Sequence, residues 1–119
     1  MTLPPPNRAK RTRELRIRSA KHLAFVRSRL CAAWAHKECL GRVEAAHLRE
    51  LSPEKGMGTK PSDIWVVGLC KHHHAFQHQI GESKFEEEYG LDLVALAMEY
   101  AQASPDKAVR DAAKEMRKP

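Results

Sequence analysis

Apolar residues recur with a loose helical period at Ala20, Leu23, Ala24, Val26 and Leu30, behind a serine placed to cap them. The pattern predicts a helix from about Ser19 to Leu30. A cysteine-bounded loop follows from Cys31 to Gly41, with Trp34 inside it as a packing anchor. Arg42 to Ala46 is then short enough to be a strand that delivers His47 at its end. The best β sequence is Ile64-Trp65-Val66-Val67, which can pair back onto residues 42 to 46. Between these segments, Ser52-Pro53, Gly56, Gly58 and Pro61 punctuate a loop that is long for so small a chain. Helical sequence resumes from Lys71 to Gln79 with Gly81 as its stop, then from Ser83 to Tyr89 with Gly90 as its end. Asp92 caps a further helix through about Ala103, and Pro105 can open the last one, through Arg117. Strand, long loop, strand, helix, with more helices on either side, is an α+β arrangement.

Chemistry concentrates where the second strand meets its helix. Cys70 to His78 holds one of the three cysteines and four of the seven histidines in nine residues. Cys70 and His73 have the Cys-x-x-His spacing by which one tight turn offers two ligands to a tetrahedral zinc. Cys31 and Cys39 complete a four-ligand set of suitable softness, which leaves no open coordination position and so clamps the fold without catalysing. The gap from Cys31 to Cys39 is wide, His36 is a substitute ligand, and three free buried cysteines remain the plain alternative. His74 and His78 stand four apart and share a helix face. Consecutive residues on a helix point about 100° apart, so His73 and His74 can serve two different sites. His74 and His78 can hold a divalent ion with open positions for water and phosphate oxygens, as phosphodiester hydrolysis requires, or can be solvated helix surface. His47 is the candidate general base, with Asp63 placed to orient it; a hydrogen-bonded structural histidine is the alternative.

Composition narrows the setting. The chain has 119 residues, 30% charged and 6% aromatic, which indicates one domain with a thin core that gains from a metal staple. No apolar run is long enough for a membrane span and the N-terminus lacks a secretory segment, so the cytoplasm is expected. The net charge of +6 resides in residues 1 to 21, where Arg8, Lys10, Arg11, Arg13, Arg16, Arg18 and Lys21 face only Glu14. Residues 1–18, opening with three prolines, read as a flexible basic arm suited to polyanions such as DNA, with 19–119 as the folded domain. A solvated tail that aids solubility is the other reading of the arm.

Three blocks then carry a resemblance: Glu44-Ala-Ala-His-Leu-Arg49, Gly56-Met-Gly-Thr-Lys-Pro-Ser-Asp63, and Gly68-Leu-Cys-Lys-His-His-His74 followed by His78 and Gly81-Glu82. Over about residues 19 to 90 the chain resembles phage and prophage HNH nucleases, of the recombination-enhancement RecA-dependent nuclease family and the YbcO-like prophage proteins. The resemblance implies a ββα-metal (His-Me finger) core with a zinc knuckle, flanked by helices. It implies His47 as general base and Asp63 in place of the central asparagine. It also implies His74 and His78 as ligands of the nuclease metal, with Cys31, Cys39, Cys70 and His73 as the knuckle. Ala46 stands where many members have a further metal-binding aspartate or histidine.

The function so expected is a metal-dependent DNA endonuclease acting in recombination or DNA processing in a bacterial host cytoplasm. It would carry structural Zn2+ and catalytic Mg2+ or Mn2+, with DNA, and a recombinase filament on DNA, as partners. The alternatives are a non-catalytic zinc-stabilised DNA-binding or adaptor module, and an interaction module built on the C-terminal helices.

Overall fold

A computed structural model describes residues 17–36, 38–53 and 61–116. In chain order the elements are α1 (Ala20–Arg27), a 3-10 turn (Trp34–His36), β1 (Val43–His47), β2 (Val66–Cys70), α2 (Lys71–Ile80), α3 (Glu82–Tyr89), α4 (Leu93–Gln102) and α5 (Lys107–Met116). The class is α+β: β1 and β2 pair antiparallel into a two-stranded sheet, and helices pack around it.

The caps expected at three of the helices form. Ser19 Oγ accepts the His22 N–H at 3.0 Å at the start of α1. Asp92 Oδ1 accepts the Ala95 N–H at 3.0 Å at the start of α4. Gly90, with φ of 63°, supplies the left-handed residue that ends α3. The last helix departs from expectation at its start. Pro105 is not its first residue; Asp106 caps it, with its carboxylate accepting the Ala108 N–H at 3.0 Å, and helix geometry begins at Lys107.

The second strand also departs, lying two residues later than its β propensity indicated. Ile64 and Trp65 form a turn closed by the Trp65 N–H to the Ser62 carbonyl at 3.0 Å, and they are 0% and 4% exposed. Their apolar character is spent on the core rather than on the ladder. The register runs from Val43 opposite Cys70 to His47 opposite Val66. All five residues of β2 are buried, so this strand is covered on both faces. At Gly68 a Cβ would lie 3.1 Å from Val43 Cγ1, 3.2 Å from the Val26 carbonyl and 3.3 Å from Tyr100 Oη. Glycine there lets α1 and α4 close onto the strand.

The core joins Leu48, Ile64, Val67 and Leu69 of the hairpin region with Phe85 of α3, Leu93, Ala97 and Ala101 of α4, and Val109 and Ala113 of α5. The small alanines allow α4 and α5 to pack closely. Trp34 does not anchor this core: it is 60% exposed on the cysteine loop, where Leu30 and Leu40 are exposed as well. No described helix is long and apolar enough to cross a membrane.

The end of the basic arm is tied to the loop before β2. Ile17 N–H bonds Ser62 Oγ at 3.1 Å, and the Ile17 carbonyl accepts from Asp63 N–H at 2.8 Å. Arg18 donates to the Pro61 carbonyl. Arg8, Lys10, Arg11, Arg13 and Arg16, expected to bind DNA, lie outside the described residues, as do residues 56–60 of the Gly56 to Asp63 block. Lys21, also expected to bind DNA, is exposed on α1.

Candidate functional site

The turn from β2 into α2 builds the first centre. Cys70, last residue of β2, is the N-cap of α2, and its Sγ accepts the His73 N–H at 3.4 Å. The first two N–H groups of α2 are taken by the segment leading into β1, Lys71 to the Arg42 carbonyl at 3.0 Å and His72 to that of Leu40 at 3.1 Å. Gly41, with φ of +82°, permits this approach, since a Cβ there would meet Lys71 Cβ at 2.8 Å. Cys39 is thereby brought to Cys70, while Ala32 N–H, bonded to the Gly68 carbonyl at 2.7 Å, sets Cys31 beside it.

Cys31, Cys39, Cys70 and His73 bring their ligand atoms within 4.8 Å of one another. His73 Nδ1 faces all three sulfurs, at 3.4 Å from Cys31, 3.7 Å from Cys39 and 3.2 Å from Cys70. A tetrahedral zinc with ordinary Zn–S and Zn–N bonds holds such atoms about 3.5 Å apart, so the donor set fits. The cluster can hold a metal ion such as zinc. His36 is no part of it, because its Nε2 donates to the Tyr89 carbonyl at 2.9 Å.

The electrostatics of the cluster suit a cation. Burial pushes the Cys31 thiol up, and the Cys39 thiol is pushed up to about 12, first by desolvation and then by its two cysteine neighbours. Burial also works against ionisation of Cys70. There the backbone N–H groups of His73 and Leu40 and the two other thiols outweigh it, so its value falls below the ordinary one. Burial, aided by His72, lowers His73 and so disfavours its imidazolium form. A metal ion would remove the competition among the thiols by stabilising all three thiolates.

The next residue of α2 belongs to a different centre. His74 and His78 face each other with Nε2 atoms 3.1 Å apart. Two nitrogens bound to one ion stand about 3.0 Å apart at a right angle and about 3.4 Å at a tetrahedral angle, so the pair fits a shared ion as well as a direct hydrogen bond. His74 Nδ1 meets Glu44 Oε1 at 2.8 Å. An Nδ1–H donated to that carboxylate leaves the Nε2 lone pair directed at His78. His47, last residue of β1, meets Asp63 Oδ1 through Nε2 at 2.8 Å. Asp63 is 3% exposed, and its other oxygen accepts the Ser19 N–H at 2.8 Å; Arg18 lies 3.6 Å away. Asp63 is thus fixed from several directions before it fixes His47.

Ala45, His47, Arg49, His74 and His78 line one cleft of about 180 Å³. The structure therefore brings together three of the four residues expected in the nuclease site, with Asp63 behind His47. Among the described residues, the Cys3His group is the one cluster of three or more metal ligands; the cleft offers two imidazoles. The sequence reasoning assigned no role to Glu44, Arg49 or Glu82. Glu44 could have been found as the one acid of a strand expected to lie against the histidine helix. Ala46 is fully buried in the core, so its position has no access to the cleft.

A family model described as a protein of unknown function (DUF968) matches residues 3–104. No curated protein and no solved structure matches the chain significantly.

Proposed function

The chain belongs to the DUF968 family of proteins of unknown function, and from its own residues we propose a metal-dependent DNA endonuclease of the HNH type, with β1, β2 and α2 as its ββα-metal core. One observation carries this: an imidazole backed by a buried carboxylate and a histidine pair one helical turn apart line the same cleft.

His47 donates Nε2–H to Asp63, which makes Nδ1 the basic nitrogen; the hydrogen bond assigns this tautomer. Nδ1 accepts a proton from water as the water oxygen attacks phosphorus, and the Asp63 carboxylate stabilises the resulting imidazolium. His74 and His78 would hold a divalent ion, Mg2+ or a softer ion such as Mn2+ that suits imidazole better. Bound there, such an ion would supply Lewis-acid stabilisation of negative charge on a phosphodiester. The knuckle holds the start of α2 in place, and the basic arm contributes backbone affinity with little sequence preference. Recombination or DNA processing, on DNA carrying a recombinase filament, is the setting that the resemblance to phage nucleases suggests.

The test is nicking of supercoiled plasmid by the zinc-loaded protein with Mg2+ or Mn2+. Wild type nicks, while folded His47→Ala and His74→Ala variants do not. DNA binding without nicking in any divalent ion would overturn the enzyme and favour a zinc-stabilised DNA-binding module.

A further inference from the structure

Glu82, first residue of α3, is 8% exposed although it carries a carboxylate. That carboxylate accepts three consecutive backbone N–H groups: Arg49 on Oε2 at 2.8 Å, and Glu50 and Leu51 on Oε1 at 3.0 and 2.9 Å. Hydrogen bonds to an ionised acceptor are among the stronger ones, and three on one carboxylate fix the chain where it leaves β1. Ser83 adds a fourth tie by donating to Glu50 Oε1 at 2.6 Å. The clamped segment is the one that carries the Arg49 side chain into the cleft beside His47, His74 and His78.

The carboxylates of β1, of its exit and of the residues behind the cleft already have partners. Glu44 is held by His74, Asp63 by His47 and Ser19, Glu50 by Ser83, and Glu82 by the backbone. Among the described residues the Arg49 guanidinium has no carboxylate partner and no hydrogen bond. An exposed cation on a clamped backbone, lining a cleft with imidazoles while these carboxylates already have partners, is matched to an anion from outside. The planar guanidinium fork fits two oxygens of a phosphate.

We propose that Arg49 is the phosphate-binding residue of the cleft, taking a phosphodiester of the nucleic-acid strand, and that Glu82 is its positioning residue. The proposal rests on the nuclease reading for its substrate, but its test does not require turnover. Binding of a short fluorescein-labelled DNA duplex to the zinc-loaded full chain is followed by anisotropy in Ca2+ across a salt series. Arg49→Ala weakens binding about 10- to 100-fold, as loss of a charge-assisted contact does. It also lowers the slope of log affinity against log salt by about one, the signature of one phosphate contact removed. Arg49→Lys recovers the slope but only part of the affinity. Glu82→Gln weakens binding in the wild-type background and has no further effect once Arg49 is alanine, which a merely structural role would not produce. If Glu82→Gln does not fold, Ser83→Ala, which loosens the same segment through Glu50, gives the same pattern at smaller size.

Arg49→Ala with unchanged affinity and slope overturns the phosphate site. Additive losses from Glu82→Gln and Arg49→Ala overturn the positioning role. If wild type nicks plasmid and His47→Ala does not, while Arg49→Ala binds like wild type, this inference fails alone. If Arg49→Ala loses affinity and slope but wild type never nicks, the phosphate site stands and the nuclease reading fails.

Discussion

Truncating Glu44 tests the second centre at the point where it differs most from a bare histidine pair. The Glu44 carboxylate is 2.8 Å from His74 Nδ1, on the side of the ring away from His78. By holding a proton on Nδ1 it presents Nε2 as a lone pair, the arrangement by which outer carboxylates orient ligating histidines. Loss of such a partner typically costs 10- to 100-fold in metal affinity. Glu44 is 42% exposed, so water screens part of its effect and substitutes for part of its hydrogen bond. The lower end applies, about 10-fold, or about 1.4 kcal/mol.

The assay is Mn2+ titration of the zinc-loaded protein, with free Mn2+ read by electron paramagnetic resonance, beside the nicking rate at each concentration. Glu44→Ala raises the half-saturating Mn2+ concentration about 10-fold and leaves the rate at saturating metal close to wild type. Glu44→Gln, which can still accept the Nδ1 proton but carries no charge, falls between. A loss well beyond 100-fold would instead make Glu44 a direct ligand. The reasoning is refuted if Glu44→Ala binds Mn2+ like wild type while His74→Ala does not bind it.

Two further outcomes follow from the structure. Wild type should carry zinc near one ion per chain by elemental analysis, and Cys70→Ser should lose both that ion and a cooperative thermal transition, because serine can still cap α2 but removes a thiolate ligand. Stability also falls as the solution is acidified, through His22. It is fully buried, Nδ1 bonds Ser104 Oγ at 2.8 Å, and burial lowers its value despite the opposing charges of Asp63 and Asp106. The folded state keeps His22 neutral while the unfolded chain protonates near an ordinary pH of about 6.5. This contribution is therefore intact above that pH and is lost as pH falls toward the folded value. Urea midpoints measured from about pH 7.5 to about pH 5.5 should drop less for a folded His22→Gln variant than for wild type, and equal drops would remove His22 as the cause.

The chain announced which cysteines and histidines would meet better than its strand boundaries. Cys-x-x-His and a pair of histidines four apart are local patterns, and local patterns survive folding: Cys70 with His73 and His74 with His78 meet as their spacing implies. Ile64 and Trp65 misled because β propensity measures suitability for a half-buried surface, and a buried turn draws on the same residues. The true strand end, Gly68-Leu-Cys70, looks unlike a strand because glycine is needed for α1 and α4 to approach, a tertiary demand invisible along the sequence. Glu44 and Glu82 were hidden for a related reason. Each acts on residues far away in sequence, Glu44 on His74 and Glu82 on the segment after β1, contacts that exist only once β1, α2 and α3 are in register.

That register explains why a cluster able to hold a metal ion stands directly beside an open cleft. His73 and His74 are consecutive, so any rotation of α2 that improves one centre turns the other by the same angle. The Cys3His cluster offers four protein ligands and would leave a bound metal no free position, so it would add no chemistry to the cleft. What it does fix is the azimuth of α2: Cys70 caps the helix, His73 is locked against three sulfurs, and Lys71 and His72 are bonded to the carbonyls of Arg42 and Leu40. With the first turn held in this way against the strand that carries Glu44 and His47, His74 and His78 have one direction left, toward the cleft. A two-stranded sheet with so thin a core could not hold that angle by packing alone. The cysteines and His73 are then as necessary to the histidine pair as the residues that touch it.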